Sequence, residues 1–286
     1  MNATGKWLFF LLASSVLAFA SQGAVRGRDR QLGIAVDRGT GKVLISSPRV
    51  GVLEHATSIG SRFTRVPPRY RRGGSTYAVD TTASAGVYRL KDYRGKVFSV
   101  NVVGYVNLRL PPGLSLIANP LYYTNNTLAF WMPAVPDGSQ VYKFTPGGGY
   151  EVSTFDGIDS GWSNPNLDVS IGTGFYFHNP SSNVLAMTFV GEVLQGELVN
   201  PLPAGISTKG SLVPQAGSIN SLHNIPGESG DEIRIFTNDL QGGGAYEIST
   251  YTADQGWLPD MQLGVGQGFW IQKRNPQNWV RYFVAN

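Results

Sequence analysis

Apolar residues recur at every second position through much of the chain beyond Val97. Phe98, Val100 and Val102 alternate with Ser99 and Asn101. Val106, Leu108 and Leu110 then alternate with Asn107 and Arg109 until Pro111-Pro112-Gly113 ends the run. Successive side chains on a strand point to opposite faces, so a period of two closed by Pro and Gly predicts half-buried strands that end in turns. No stretch of helical length carries a 3.6-residue period. The predicted class is all-β.

The pattern also repeats. Tyr150-Glu-Val-Ser-Thr-Phe155 returns as Tyr246-Glu-Ile-Ser-Thr-Tyr251, and each is followed by Gly-Trp, at Trp162 and Trp257. Gly172-Thr-Gly-Phe-Tyr-Phe177 then matches Gly266-Gln-Gly-Phe-Trp-Ile271, and an Asn-Pro follows both. Upstream, Pro111-Pro-Gly-Leu-Ser115 matches Pro203-Ala-Gly-Ile-Ser207, and Val141-Tyr-Lys-Phe144 matches Ile233-Arg-Ile-Phe236. The order is kept and the offset drifts only between 92 and 96 residues. Two tandem homologous β modules are predicted, over 97–195 and 196–286. They are either separate small domains or two halves of one sandwich or barrel.

The repeated residues carry the candidate chemistry. In Gly-x-Gly-Phe the glycines let the backbone turn or pass close to a neighbour, and Phe175 or Phe269 enters the core. Tyr176 and Trp270 fall on the opposite strand face, at matching positions. With Trp162 and Trp257 they form a candidate platform for sugar rings, against a reading in which the Gly-Trp pair anchors a loop onto the sheet. The third glycine, the helix and the acidic residue of a dinucleotide fingerprint are not set out here, which argues against nucleotide binding. Asp156, Asp159 and Asp168 lack calcium-loop spacing, and no Gly-x-Ser-x-Gly elbow surrounds a serine. The chain has no Cys and only three His, far apart, so thiolate sites, disulfides and His-based catalysis are disfavoured. No metal, cofactor or catalytic residue is predicted.

The N-terminal third reads differently. Lys6 precedes a thirteen-residue apolar run, Trp7–Phe19, and Ala18-Phe19-Ala20 fits a small-x-small cleavage rule. The run is too short to span a membrane comfortably, so residues 1–20 are read as a signal peptide. Residues 21–96 hold 15 Lys and Arg against 5 Asp and Glu, whereas 97–286 hold 7 against 14. The overall charge of +4 therefore describes neither part, and no specific nucleic-acid partner follows from it. The basic stretch reads as a loosely ordered linker or arm, with Lys42-Val-Leu-Ile-Ser46 and Arg49-Val-Gly-Val-Leu53 as candidate short strands within it. Arg69, Arg71 and Arg72, beside Tyr70, are candidate polyanion contacts within it.

Phe98-Ser-Val-Asn-Val-Val-Gly-Tyr-Val-Asn107, Leu114-Ser-Leu-Ile-Ala-Asn-Pro-Leu121, the Gly-x-Gly-Phe repeats and Phe189-Val-Gly-Glu192 together resemble exported, uncharacterised duplicated-β proteins of the Verrucomicrobia-like type. The resemblance covers about 97–286 and implies a secreted, duplicated β protein, with no activity or catalytic residue to carry over. The basic stretch before Val97 departs from that pattern. The expected function is non-enzymatic: a secreted or cell-surface structural or adhesive protein whose mature chain has no membrane span. The alternative is a carbohydrate-binding protein, and the expected partner is a glycan or another surface protein.

Overall fold

The structure, a computed structural model, describes residues 30–284 apart from 38, 59–60, 68–75, 80, 98, 160 and 239–243. The predicted signal peptide and the candidate contacts Arg69, Arg71 and Arg72 lie outside the described residues. The described chain is all-β, and its longest helix is a single turn, α1 (Leu128–Trp131). No helix among the described residues is long and apolar enough to cross a membrane.

Strands are numbered in chain order, and all pair antiparallel. One five-stranded sheet has the order β11 (Gly161–Trp162), β10 (Gly149–Asp156), β9 (Gln140–Thr145), β12 (Gly174–Asn179), β8 (Gly113–Ala118). A second has the order β19 (Gly256–Leu258), β18 (Gly244–Thr252), β17 (Glu232–Asn238), β21 (Gly268–Lys273), β15 (Gly205–Gly210). The two orders correspond strand for strand, and so do the registers. Phe177 faces Ser115 and Val141, as Ile271 faces Ser207 and Ile233. Tyr150 faces Phe144 as Tyr246 faces Phe236. Each sheet is accompanied by a ribbon: β7 (Val103–Leu110) with β13 (Leu185–Glu192), and β14 (Gly196–Leu202) with β22 (Gln277–Phe283). A short pair, β16 (Gly217–Ser218) with β20 (Gln262–Leu263), belongs to the second half.

Both Gly-x-Gly-Phe motifs work at the junction of the halves. Gly172 and Gly266 turn with φ of 82° and 71°, a left-handed conformation that glycine adopts without penalty. The next glycines, Gly174 and Gly268, leave no room for a Cβ. One would lie 2.8 Å from the Lys209 carbonyl oxygen, the other 2.8 Å from that of Ile117. Each half thus brings its backbone against a strand of the other. Phe175 and Phe269 fill the cores behind them, as the motif predicts.

The ribbons differ in what completes them. The free edge of β7 is taken by β6 (Ala85–Lys91), then β3 (Val52–Ala56) and β4 (Thr64–Arg65). A three-stranded sheet of β1 (Gly33–Val36), β2 (Val43–Ser46) and β5 (Thr76–Val79) shares a core with it through Val43, Ile45, Leu53, Tyr88, Val103 and Tyr105. The expectation of a loosely ordered arm over 21–96 therefore fails for its described part. The two candidate short strands are found as β2 and, shifted toward the C-terminus, β3, and Val43 and Ile45 are fully buried. The expected boundary at 96/97 is crossed by the ladder from Ala85 opposite Val106 to Tyr88 opposite Val103. That at 195/196 lies inside one apolar cluster joining Leu198, Val213 and Phe283 to Leu121, Leu128 and Val169.

The described strand begins at Val103, and before it the predicted alternation fails at Val100, which is exposed, and at Ser99 and Asn101, which are buried, while Val102 is buried as expected and Phe98 lies outside the described residues. The Asn101 side chain accepts from the Leu32 amide at 2.8 Å and donates to the Leu32 carbonyl at 3.0 Å. Ser99 Oγ accepts from the Leu90 amide at 3.1 Å. These polar side chains satisfy backbone groups as ladder partners would, which is why they lie inside.

Candidate functional site

All four rings expected to form a sugar platform are buried, with Trp162 at 6%, Trp257 at 1%, Tyr176 at 5% and Trp270 at 7% exposure. Trp162 stands opposite Phe155 on the paired strand, and its indole N–H donates to the Met132 carbonyl at 2.7 Å. Trp257 stands opposite Tyr251 and donates to the Ile225 carbonyl at 2.8 Å. Cross-strand ring pairs with a satisfied indole are core anchors. The Gly-Trp pairs hold the return strand onto the sheet, so the platform reading is corrected for both.

Tyr176 and Trp270 do occupy the strand faces opposite Phe175 and Phe269, and the structure brings them together. Their faces meet each other rather than solvent. Trp270 donates its indole N–H to the Tyr176 hydroxyl at 2.7 Å, and that hydroxyl lies 2.5 Å from the Tyr246 hydroxyl. Phe144 packs edge-on against Trp270 with ring centroids 4.8 Å apart, and Phe236 against Tyr176 at 5.5 Å. The result is an aromatic seam between the sheets that hold β12 and β21, with Leu116 buried in it. Burial, followed by the hydrogen bond with Tyr246, pushes the Tyr176 phenol far above its ordinary pKa, so it stays neutral.

The rim of the seam is what remains accessible. Tyr150 and Tyr246 are about half exposed, at 48% and 46%, and Val152 and Ile248, two residues on, continue the same faces of β10 and β18. The Tyr150 ring touches both Tyr176 and Trp270 edge-on. Burial and the nearby Tyr246 hydroxyl raise its pKa as well. On the wall of the second sheet, Arg234 makes two hydrogen bonds to Glu232, at 3.2 and 2.6 Å. This rim offers ring faces, phenol hydroxyls and a paired cation, a set suited to stacking and hydrogen bonding. Sequence reasoning passed over Tyr150 and Tyr246 as candidates. The signal was there, because each opens the repeated Tyr-Glu-x-Ser-Thr and lies on the strand face opposite the buried Phe155 or Ser249.

At the other end of the seam an open cleft of about 490 Å³ lies between the halves, lined by Leu116, Ile117, Phe236, Gln267, Arg109 and Asn238. The Asn238 amide clamps it by donating to the carbonyls of Pro112 and Leu114, both at 2.8 Å. Of the three aspartates, Asp156 ends β10, Asp159 lies in the turn that follows, and Asp168 bridges to Thr127. Asp156 caps the amides of Ile158 and Asp159, and Asp168 pairs with Lys143 at 3.2 Å. Among the described residues no three His, Asp or Glu side chains converge as metal ligands would.

Two ionisable clusters are buried in the second half. Lys273 and Asp231 form an ion pair with no exposed side-chain surface, and Lys273 also donates to Gln277 at 2.6 Å and to the Pro226 carbonyl at 3.2 Å. Burial pushes the Asp231 carboxyl up. The Lys273 ammonium and the amides of Arg274 and Glu228 outweigh that and hold it below the usual range. His223 is fully buried between Trp279 and the Arg281 region, and burial, reinforced by the Arg281 charge, lowers it to about 4.

No family model, curated protein or solved structure matches the chain.

Proposed function

We propose that this chain is an exported, non-catalytic β protein that serves as a structural or adhesive module at the cell surface or in the extracellular matrix, built from two copies of one folding unit. The observation that carries this reading is the aromatic seam. Rings that could face a ligand are instead used to join the two sheets, and the remaining Gly-Trp rings anchor strands. Corresponding strand orders and registers support the two-copy reading. Export rests on the N-terminal apolar run and on the resemblance to exported duplicated-β proteins. The test has two arms. N-terminal sequencing of the protein from its exporting host should find Ser21 first, and cells lacking it should lose cohesion or attachment that the purified chain restores. A chain retained inside the cell, or attachment unchanged by its loss, defeats the proposal.

Carbohydrate binding is the second reading, favoured by one observation: Tyr150 and Tyr246 are half exposed side by side on the rim. Glycan arrays probed with the wild-type chain and with Tyr150→Ala and Tyr246→Ala separate the readings. Binding that both substitutions abolish supports it, and silence across the array removes it.

A further inference from the structure

The two ribbons share a register, Leu110 opposite Leu185 and Leu202 opposite Gln277, but only one of them is completed. In the first half the outer edge of β7 carries β6, and the Asn107 amide donates to the Ser84 carbonyl on that side at 2.8 Å. Alternation along an antiparallel strand points every second amide to the same edge. The residues of β14 that correspond to Tyr105 and Asn107 are Glu197 and Val199, so their amides point to the edge away from β22. Pro201, next in that series, has no N–H to offer, and proline is tolerated in a strand where its nitrogen faces an unpaired edge. Among the described residues β14 pairs with β22 alone.

The outer face of this ribbon is bare as well. Val199 and Val280 face each other across it, 44% and 45% exposed, and Tyr282 beside them is 80% exposed. Tyr282 corresponds to Val190, which packs against the core that the N-terminal sheet shares. A two-stranded ribbon with an open edge and an apolar face is marginal alone and is a template for another strand.

We infer that a second copy of this chain completes the edge, β14 pairing antiparallel with its counterpart about a two-fold axis at Leu198. The amides and carbonyls of Glu197 and Val199 in each copy would then meet those of Val199 and Glu197 in the other. Pro201 ends the ladder on both sides. The occupant follows from the fold itself: the chain closes the corresponding β7 edge with an antiparallel strand, and a two-fold pairing lets one free edge satisfy another identical one. The merged sheet, β22-β14-β14-β22, also places the exposed valines of both copies on one face. Isologous pairing of this kind closes after two copies.

Sedimentation of the purified full chain over a wide concentration range should show a monomer–dimer equilibrium. Val199→Pro removes an edge-facing amide without touching the β22 ladder and should weaken the dimer by about tenfold or more, since hydrogen bonds are lost in both copies. Val199→Lys keeps the amide, charges the face and should do the same while the unfolding midpoint stays close to wild type. Amide hydrogen exchange at Glu197 and Val199 should slow as concentration rises. A wild-type chain that stays monomeric, a dimer that survives both substitutions, or exchange at these amides that is independent of concentration would each overturn the inference.

Discussion

The first ribbon, β7 with β13, and the second, β14 with β22, sit in matching frameworks, yet their surroundings differ in kind. Where the first half buries Phe189 against its core, the second half has Arg281 at the corresponding place, opposite Leu198 as Phe189 is opposite Val106. Arg281 is held by Gln215 at 2.6 Å and by the Leu222 carbonyl at 3.3 Å. Where the first half has Asn179 and Ser139, the second has the ion pair Lys273–Asp231. Asn179 donates to the carbonyls of Leu110 at 3.0 Å and Asn183 at 2.8 Å, so a neutral amide does on one side what a buried salt bridge does on the other. The rings and glycines at the seam are held in common, and the polar interior is where the halves part. The first half therefore depends on apolar cover from the N-terminal strands, and the second depends on buried charge that must stay paired.

That contrast can be broken most directly at the polar interior. Lys273→Ala should cost about 3–5 kcal/mol, because it leaves the Asp231 carboxylate buried without its cation. Asn179→Ala at the corresponding place should cost about 1–3 kcal/mol, the loss of hydrogen bonds to buried carbonyls. Denaturant unfolding of both variants would show it, and an Asn179 variant at least as damaged as the Lys273 variant would erase the distinction. Acid is the next lever. His223 is lowered to about 4 in the fold and titrates near 6.5 when unfolded, so the unfolded chain binds more protons between those values. Stability should fall by roughly 3 kcal/mol as pH drops from 6.5 through 4, and this group's effect should level off within about a unit below that. His223→Leu should flatten that slope, and an unchanged slope would locate the acid sensitivity elsewhere. The smallest effect lies at the rim: Tyr246→Phe removes a hydroxyl bonded to Tyr176 and should cost about 1 kcal/mol. Tyr150→Phe, whose hydroxyl is only nearby, should stay within about 0.5 kcal/mol. Equal losses from the two would mean that the seam treats its rims alike.

Period-two alternation and the repeated Tyr-Glu-x-Ser-Thr, Gly-Trp and Gly-x-Gly-Phe stretches made most strands from Val103 onward, and their correspondence, readable in advance. The face of Tyr176 and Trp270 was readable too, but not what that face meets, because alternation assigns a side and is silent about a second sheet 94 residues away in sequence. Of the N-terminal strands only the stretches around Val43–Ser46 and around Val52 and Leu53 were legible as short apolar runs, while charge dominates the rest and β1 and β4 bury no residue fully. Asn101 and Ser99 misled for the opposite reason, as polar side chains satisfying backbone groups look like solvent-facing ones in a sequence.

Leu198, Val213 and Phe283 pack within the cluster that holds Leu121 and Val169, while Gly174 and Gly268 each press against the opposite half. Neither half can be cut away or melt first without stripping apolar surface from its neighbour. The two halves are therefore expected to come apart together, and a pulling force applied across them should meet one joint resistance in place of two successive ones.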